Sequence, residues 1–380
     1  MVKIPLWRAE AMKVLVTGAN GFIGKNLLVH LRERGADAIE VMTFMRGDTF
    51  DSLSAKVAQA DFIFHLAGIN RPKNDTEFAE GNTDLTRHLC DIVKASGRAV
   101  PILYTSSIQA MRDNAYGLSK RGAEDALCTM SADTGVASYI YRLPNVFGKW
   151  CRPNYNSAVA TFSHNIAHGL PIQINDPGAM LQLVYVDDVI ADFLAVMDTR
   201  PPAGEREVAP VYSISVGELA RQLQAFKDSR DSMVVEAVGT GLIRALYSTY
   251  ISYFTPDQFT YPLTKHEDPR GVFVEMLKTK DAGQFSYFTA HPGITRGGHY
   301  HHTKTEKFLV IKGLARFGFR HIETGATYTR ETSGAHPEVV ETIPGWSHDI
   351  TNIGTDEMIV MLWANEIFDR QHPDTITHKV

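Results

Sequence analysis

The chain has 380 residues, 44% of them hydrophobic and 21% charged, with a formal net charge of −5. That length suits two or three domains, and the weak, unpatterned charge excludes a nucleic-acid footprint and a basic membrane-surface helix. Cys90, Cys128 and Cys151 form no Cys-x-x-Cys pair, which argues against a disulfide framework or a thiolate zinc site and points to a reducing, cytoplasmic setting.

Residues Met1 to Ala11 lack the apolar core of a signal peptide and read as a loose extension before a second methionine, Met12. No apolar run approaches the ~18 residues of a membrane span. From Met12 to about Arg142 strands and helices alternate. Lys13–Thr17 reads as a strand, and Phe22–Arg34 as a helix with Ile23, Leu27, Leu28 and Leu31 on one face and Gly35 at its end. Further strands are predicted at Ile39–Met45, Asp61–His65, Val100–Thr105 and Tyr139–Leu143. This alternation predicts an α/β Rossmann-type, doubly wound parallel sheet. A mixed stretch follows to about Tyr253, with a strand near Leu181–Val186 and helices near Asp188–Met197 and Val216–Phe226.

After Pro262 the texture becomes β-rich: Val272–Leu277, Gln284–Thr289, Lys307–Ile311, Ala315–His321, Val339–Ile343, His348–Asn352 and Met358–Trp363. Short strands parted by turns predict an all-β sandwich or barrel. The expected domains are residues 12–258 and 259–380, the boundary falling near Thr255–Lys265.

Thr17-Gly18-Ala19-Asn20-Gly21-Phe22-Ile23-Gly24 lies where a strand turns into a helix. Its glycines let backbone approach a pyrophosphate, and the helix N-terminus offers free N–H groups and a positive dipole end. An acid at the end of the second strand would bind the ribose diol of NAD. Glu40 falls too early and Arg46 stands in its place, which favours NADPH over a merely solvated arginine. Tyr116 and Lys120 are four residues apart on one helical face, so the ammonium is expected to lower the phenol's pKa for proton transfer to a carbonyl oxygen. Ser106 and Ser107 follow the fourth strand, at the carboxyl edge where such sites open.

On these pieces, with His65-Leu66-Ala67-Gly68, Asn82, Arg142-x-Pro144-Asn145 and Tyr185-x-Asp187, residues 12 to about 255 resemble the extended short-chain dehydrogenase/reductases that act on nucleotide sugars. The resemblance implies Ser107, Tyr116 and Lys120 as catalytic residues, and Leu66, Ala67 and Gly68 at the cofactor. It puts Asn145 on the sugar-nucleotide side, and this reductase class commonly forms homodimers. Lys149 and Arg152 are diphosphate candidates on charge alone, and read equally as a solvated basic loop.

The C-terminal half carries Gly293-x5-His299-x-His301-x4-Glu306-x6-Gly313 and Pro344-Gly345-x2-His348-x3-Asn352. Residues i and i+2 of a strand share a face, so His299 and His301 read as a pair, joined by Glu306 and His348 from neighbouring strands. Three imidazoles and a carboxylate suit a first-row metal: zinc first, as a Lewis acid, with iron, manganese and nickel also fitting. This half resembles the cupins, an all-β jelly-roll class, although the second motif lacks a residue between Pro344 and Gly345. Arg296-Gly-Gly-His299-Tyr300 also resembles the metal-free sugar epimerases of that class, in which the histidine is a base. His302 is expected to face away. Lys265, Lys304, Tyr287 and Tyr300 are further acid–base or phosphate candidates.

The whole order of residues 12–380, including His65–Pro72, Phe147–Cys151 and His299–Phe308, resembles the bifunctional capsule and O-antigen epimerase/reductases of UDP-N-acetyl-L-fucosamine biosynthesis. The resemblance implies C3 epimerisation of UDP-2-acetamido-2,6-dideoxy-L-arabino-hexos-4-ulose, then NADPH reduction at C4 to the L-talose derivative. A reductase with a purely structural or dimerising C-terminal domain is the alternative. A cofactor-binding regulator without turnover is a third reading, against which the intact Tyr–Lys pair argues.

Overall fold

The computed structural model describes residues 10–263, 266–268, 271–273, 277–279, 283–366 and 371–380. Most of the expected N-terminal extension, Lys265 and part of the strand expected at Val272–Leu277 lie outside the described residues. Two compact units emerge: residues up to Val146 with Gln182–Tyr212, and Phe147–Leu181 with Ser213–Val380. No described helix is long and apolar enough to cross a membrane.

The first unit is built on a six-stranded sheet of β1 (Met12–Thr17), β2 (Ile39–Phe44), β3 (Phe62–His65), β4 (Ile102–Ser107), β5 (Ser138–Leu143) and β6 (Gly204–Arg206). Its order is β2-β1-β3-β4-β5-β6, and all pairings are parallel. Val14, Leu15, Val16, Ile63, Phe64 and Ile102 are fully buried. Such strands read as unbroken apolar runs because helices cover both faces of the sheet. β1 passes to β2 on one side while β3 lies on the other, so a crevice opens at the carboxyl ends of β1 and β3. Helix α1 (Phe22–Glu33) starts there. Helix α2 (Leu85–Ser96) and helix α3 (Ala115–Thr134) flank β4 in sequence, and α3 is capped by Asn114, which accepts from Gly117 N at 2.7 Å.

The second unit contains two five-stranded antiparallel sheets. One runs β7 (Thr260–Pro262), β13 (Glu338–Glu341), β10 (Glu306–Lys312), β15 (Met358–Ala364), β8 (Gln284–Ala290). The other runs β12 (Thr327–Ser333), β11 (Leu314–His321), β14 (Trp346–Asn352), β9 (Thr295–Tyr300), β16 (Ile376–Thr377). This is the jelly-roll of the cupins, with Phe308, Phe317, Ile350, Val360 and Trp363 buried. The same unit holds helices α4 (Val216–Ser232) and α5 (Gly241–Ile251). Hydrogen bonds tie this helical part to the β-domain. Ser248 Oγ donates to the Thr303 carbonyl at 2.8 Å, and Asn365 Nδ2 reaches the Val238 carbonyl at 3.4 Å.

Candidate functional site

In the first unit, backbone crowding explains the glycines of the expected phosphate cradle. Gly18 has φ +71°, and a Cβ there would stand 2.6 Å from Ala67 N and 2.8 Å from Leu66 C, so β1 and β3 meet at this point. A Cβ on Gly24 would lie 2.3 Å from the Gly18 carbonyl oxygen. Gly21 is the N-cap of α1, with no side-chain cap and no acid in the first turn. The N–H groups of Phe22, Ile23 and Gly24 are thus left to a ligand, and the dipole favours an anion. Asn20 lies at the same turn, its Nδ2 2.9 Å from Met45 Sδ.

The loop after β3 is pinned from behind. Asn82, fully buried, accepts from Ile69 N and donates to the Ile69 carbonyl and to Ser119 Oγ, each at 2.9 Å. Gly68 fits between Asn82 and Lys120, since a Cβ would fall 2.7 Å from Asn82 Oδ1 and 3.2 Å from Lys120 Nζ. His65 bridges Thr17 Oγ1 at 2.8 Å and Thr86 Oγ1 at 2.9 Å. Burial, with Lys120 nearby, drives its pKa down to about 3, so it is a neutral structural imidazole.

The Ser107 hydroxyl faces Tyr116. The expected lowering of the phenol's pKa by Lys120 is not seen: burial raises it above its ordinary value, and Ser107 offsets only part of this. Lys120 Nζ is turned to the Thr105 carbonyl at 3.0 Å and lies 4.9 Å from the centroid of the Tyr104 ring. Burial lowers its own pKa to about 8, against the opposing pull of Glu124. Ser106 is occupied elsewhere, donating to Glu124, which also holds Arg142 at 2.6 Å. The matched Arg142 is therefore a structural ion-pair residue.

At the end of β2, Asp48 accepts from Met45 N and from Lys56 Nζ, both at 3.1 Å. Asp48 is thereby engaged, while Arg46 is exposed beside it. Asn145 is exposed, and its Nδ2 donates to the Gln182 carbonyl at 3.1 Å. In the second unit Lys149 is only 1% exposed, its Nζ 5.5 Å from the Trp150 ring, so the solvated-loop reading fails for it. Arg152 is exposed and stacks over Tyr155 at 5.2 Å.

The second unit brings His299, His301, Glu306 and His348 together, one ligand atom from each lying within 4.8 Å of the others. His299 and His348 are paired across β9 and β14. Glu306 begins β10, which belongs to the other sheet. The carboxylate therefore does not come from a strand neighbouring the histidines, as the sequence suggested, and the jelly-roll closes the set across two sheets. Gly297 and Gly298, at φ +99° and +77°, carry a bulge just before His299 that sets its direction.

Glu306 Oε2 lies 3.2 Å from His301 Nε2 and 3.3 Å from His348 Nε2. Two ligands each ~2.0–2.1 Å from a tetrahedral ion stand about 3.3 Å apart, so this spacing fits a metal. Both ring nitrogens of His348 are buried without a well-formed hydrogen bond, an unmet polar demand that an ion would satisfy. His301 Nδ1 donates to the Asp374 carbonyl, so Nε2 is the ring atom turned to the quartet, 3.2 Å from Glu306 Oε2. Protonation states suit ligation as well. Burial, then the neighbouring imidazoles, lowers the His299 pKa to about 3, and burial lowers that of His348. For Glu306, burial is outweighed by the facing His301 and His348 rings, which hold the carboxyl well below its usual range.

His302 is buried outside the quartet, as expected. Lys304 is buried too, its Nζ 4.0 Å from Glu306 Oε1 and 3.0 Å from Thr375 Oγ1. Tyr287 is 72% exposed, and Tyr300 is buried with its ring 5.6 Å from that of His302. Sequence reasoning missed Asp374, whose Oδ2 accepts from Thr303 N and Lys304 N at 2.7 Å, and Glu341, which binds Arg230 and Lys307. Neither lies in a motif. The only signal at Asp374 is a Pro-Asp step near the C-terminus.

Residues 14–211 match the NAD dependent epimerase/dehydratase family, and residues 266–376 match the Polysaccharide biosynthesis C-terminal domain. A Pseudomonas aeruginosa protein named UDP-2-acetamido-2,6-beta-L-arabino-hexul-4-ose reductase is 62% identical, over 96% of this chain and 98% of its own. The crystal structure of capsular polysaccharide assembling protein CapF from Staphylococcus aureus aligns with TM-score 0.67 and 41% identity, over 97% of this chain and all (100%) of that one. The Bordetella bronchiseptica enzyme WbmF, solved with NAD+, covers 57% of this chain and 78% of its own at TM-score 0.51 and 20% identity, a likeness of fold. The chain therefore belongs to the NAD dependent epimerase/dehydratase family and ends in a polysaccharide biosynthesis C-terminal domain.

Proposed function

We propose that the chain is a bifunctional sugar-nucleotide enzyme. Its cupin domain inverts C3 of UDP-2-acetamido-2,6-dideoxy-L-arabino-hexos-4-ulose. Its reductase domain then reduces the C4 ketone with NADPH to UDP-2-acetamido-2,6-dideoxy-L-talose. The substrate class follows from the 62% identical reductase. The observation that carries the two-step reading is the His299–His301–Glu306–His348 quartet, His299 half-buried and the other three buried, on the same chain as Ser107, Tyr116 and Lys120.

A ketone links the two sites, because it acidifies the proton on the neighbouring carbon. Loss of that proton gives an enolate, and return of a proton to the opposite face inverts C3. The quartet would hold a first-row ion, zinc by first choice, which would supply Lewis acidity for this loss. In the reductase domain, bound NADPH would supply the hydride for C4. Tyr116 gives its proton to the C4 oxygen as charge develops there, and Ser107 donates a hydrogen bond to the same oxygen. A phenol held above its ordinary pKa is fully protonated near neutrality, as a proton donor must be. Lys120, buried with its ammonium on the Thr105 carbonyl and beside Gly68, belongs to the cofactor side of this pair.

Chelation tests the epimerase half. Protein stripped of divalent metal is expected to lose exchange of the C3 proton with solvent and to regain it with zinc, while still binding NADPH. Unchanged exchange in the stripped protein would remove the metal from the mechanism.

Arg46 tests the cofactor assignment. Arg46→Asp is expected to raise KM for NADPH by about tenfold to a hundredfold, the equivalent of roughly 1.5–3 kcal/mol for bonds to a charged group, with little change for NADH. Equal effects on the two cofactors would show that Arg46 does not meet the 2′-phosphate.

A further inference from the structure

Asp374 and its neighbours grip the ligand-bearing segment at several points. The Asp374 carboxylate accepts three successive backbone N–H groups: His302 at 2.8 Å on Oδ1, then Thr303 and Lys304, both at 2.7 Å, on Oδ2. Thr303 Oγ1 adds a fourth bond to Oδ2 at 3.1 Å. The Asp374 carbonyl takes the Nδ1 proton of His301. Downstream, β16 pairs with β9 in the register His299↔Thr377 and Tyr300↔Ile376, and His378 N donates to the Gly298 carbonyl at 2.9 Å. Thr375 Oγ1 accepts from Lys304 Nζ at 3.0 Å.

These bonds act on the quartet in two ways. Residues 302–304 leave the sheet between His301 and Glu306, and their three N–H groups turn to Asp374. One carboxylate collects all three, which fixes the spacing of the two ligands on either side. The carbonyl of the same residue selects the tautomer of His301 that leaves Nε2 open. Side chain and main chain of one residue thus set both the position and the protonation of the ligands, an arrangement typical of the outer shell of a metal site.

We infer that Asp374 is the positioning residue of the His299–His301–Glu306–His348 site, and that the C-terminal segment 374–378 is a clasp that preorganises it for a divalent metal. This inference rests on the metal reading proposed above. It concerns affinity and geometry, not proton transfer.

The test is zinc affinity by competition with a chromophoric chelator, together with the visible spectrum of the cobalt-substituted protein, for full-length wild type, Asp374→Ala and Asp374→Asn. Both variants are expected to bind zinc about 10–100-fold more weakly and to show an altered cobalt spectrum, with the far-ultraviolet circular dichroism of wild type. If Asp374→Ala does not fold, the isosteric Asp374→Asn decides. A folded variant with wild-type zinc affinity and cobalt spectrum would overturn the inference while leaving the metal reading intact. Wild-type protein that binds neither zinc nor cobalt stoichiometrically would overturn both.

Discussion

Tyr116→Phe is expected to lower the rate of ketone reduction by about 10²–10⁴-fold while leaving NADPH affinity nearly unchanged. The substitution removes one hydroxyl from a ring that is mostly buried and packed 5.5 Å from Phe78, so the fold and the cofactor cradle stay in place. What is lost is the proton that the C4 oxygen needs as hydride arrives. Ser107 cannot replace it, since an aliphatic hydroxyl is a far weaker acid than a phenol and Ser107 Oγ is also 3.2 Å from Gln109 N as an N-cap. Lys120 cannot replace it either, because its ammonium is turned to the Thr105 carbonyl. Single-turnover stopped-flow loss of NADPH absorbance would measure the chemical step directly. A loss below tenfold would move the proton-donor role to another group.

Glu341→Ala is expected to destabilise the second unit by about 3–5 kcal/mol, because it leaves buried cations without their counter-charge. Glu341 sits at the end of β13, opposite Lys307 on β10, and receives Arg230 from α4. Tyr261 OH lies 3.2 Å from Lys307 Nζ, and Tyr247 OH 3.5 Å from Glu341 Oε1. Burial alone would neutralise these groups. The pairing instead holds Glu341 below and Lys307 above their ordinary pKa values. The damage reaches the histidine–glutamate quartet through the next rung of the same ladder, where Thr342 N donates to the Glu306 carbonyl at 2.9 Å and Glu306 N donates to Thr342 Oγ1 at 3.0 Å. Denaturant titration followed by tryptophan fluorescence would read the loss. A shift below about 1 kcal/mol would mean that the cluster is no better than a surface ion pair. The same cluster bears on the reading in which the C-terminal domain is merely structural. A chain ending at residue 258 keeps Arg230, Tyr247 and Ser248 but lacks Glu341 and Thr303, their partners.

Much of this was legible in the sequence because local physics and global fold agreed. The β1–α1 turn announced itself through glycines at positions where a Cβ would strike backbone, and a strand and a helix stood on either side to confirm it. His299 and His348 were legible because each follows a glycine turn at a set spacing. Other parts were hidden for identifiable reasons. Thr327–Ser333, sequence TYTRETS, is an edge strand with mostly exposed or half-buried residues, so it has no apolar run to detect. Helix α5 is buried at seven consecutive positions, Ala245–Ile251, with polar Ser248 and Thr249 among them, so its burial does not follow residue type. That Glu306 joins the histidines from the opposite sheet is a matter of topology, and spacing along the chain is silent about it. The pKa of Tyr116 was misjudged because i and i+4 spacing gives the side of the helix but not where a flexible lysine sends its ammonium. Asp374 lies 68 residues from Glu306 along the chain and acts through main-chain groups, which leave no residue-type signature.

The proposal of inversion and reduction at separate sites on one chain is tested most directly by incubating Tyr116→Phe with the 4-keto sugar nucleotide in D2O without NADPH and following the C3 proton by NMR. The C3 proton is expected to be replaced by deuterium at the wild-type rate although the variant no longer reduces the ketone. Loss of exchange in parallel with loss of reduction would contradict the proposal, and would place both steps at Tyr116.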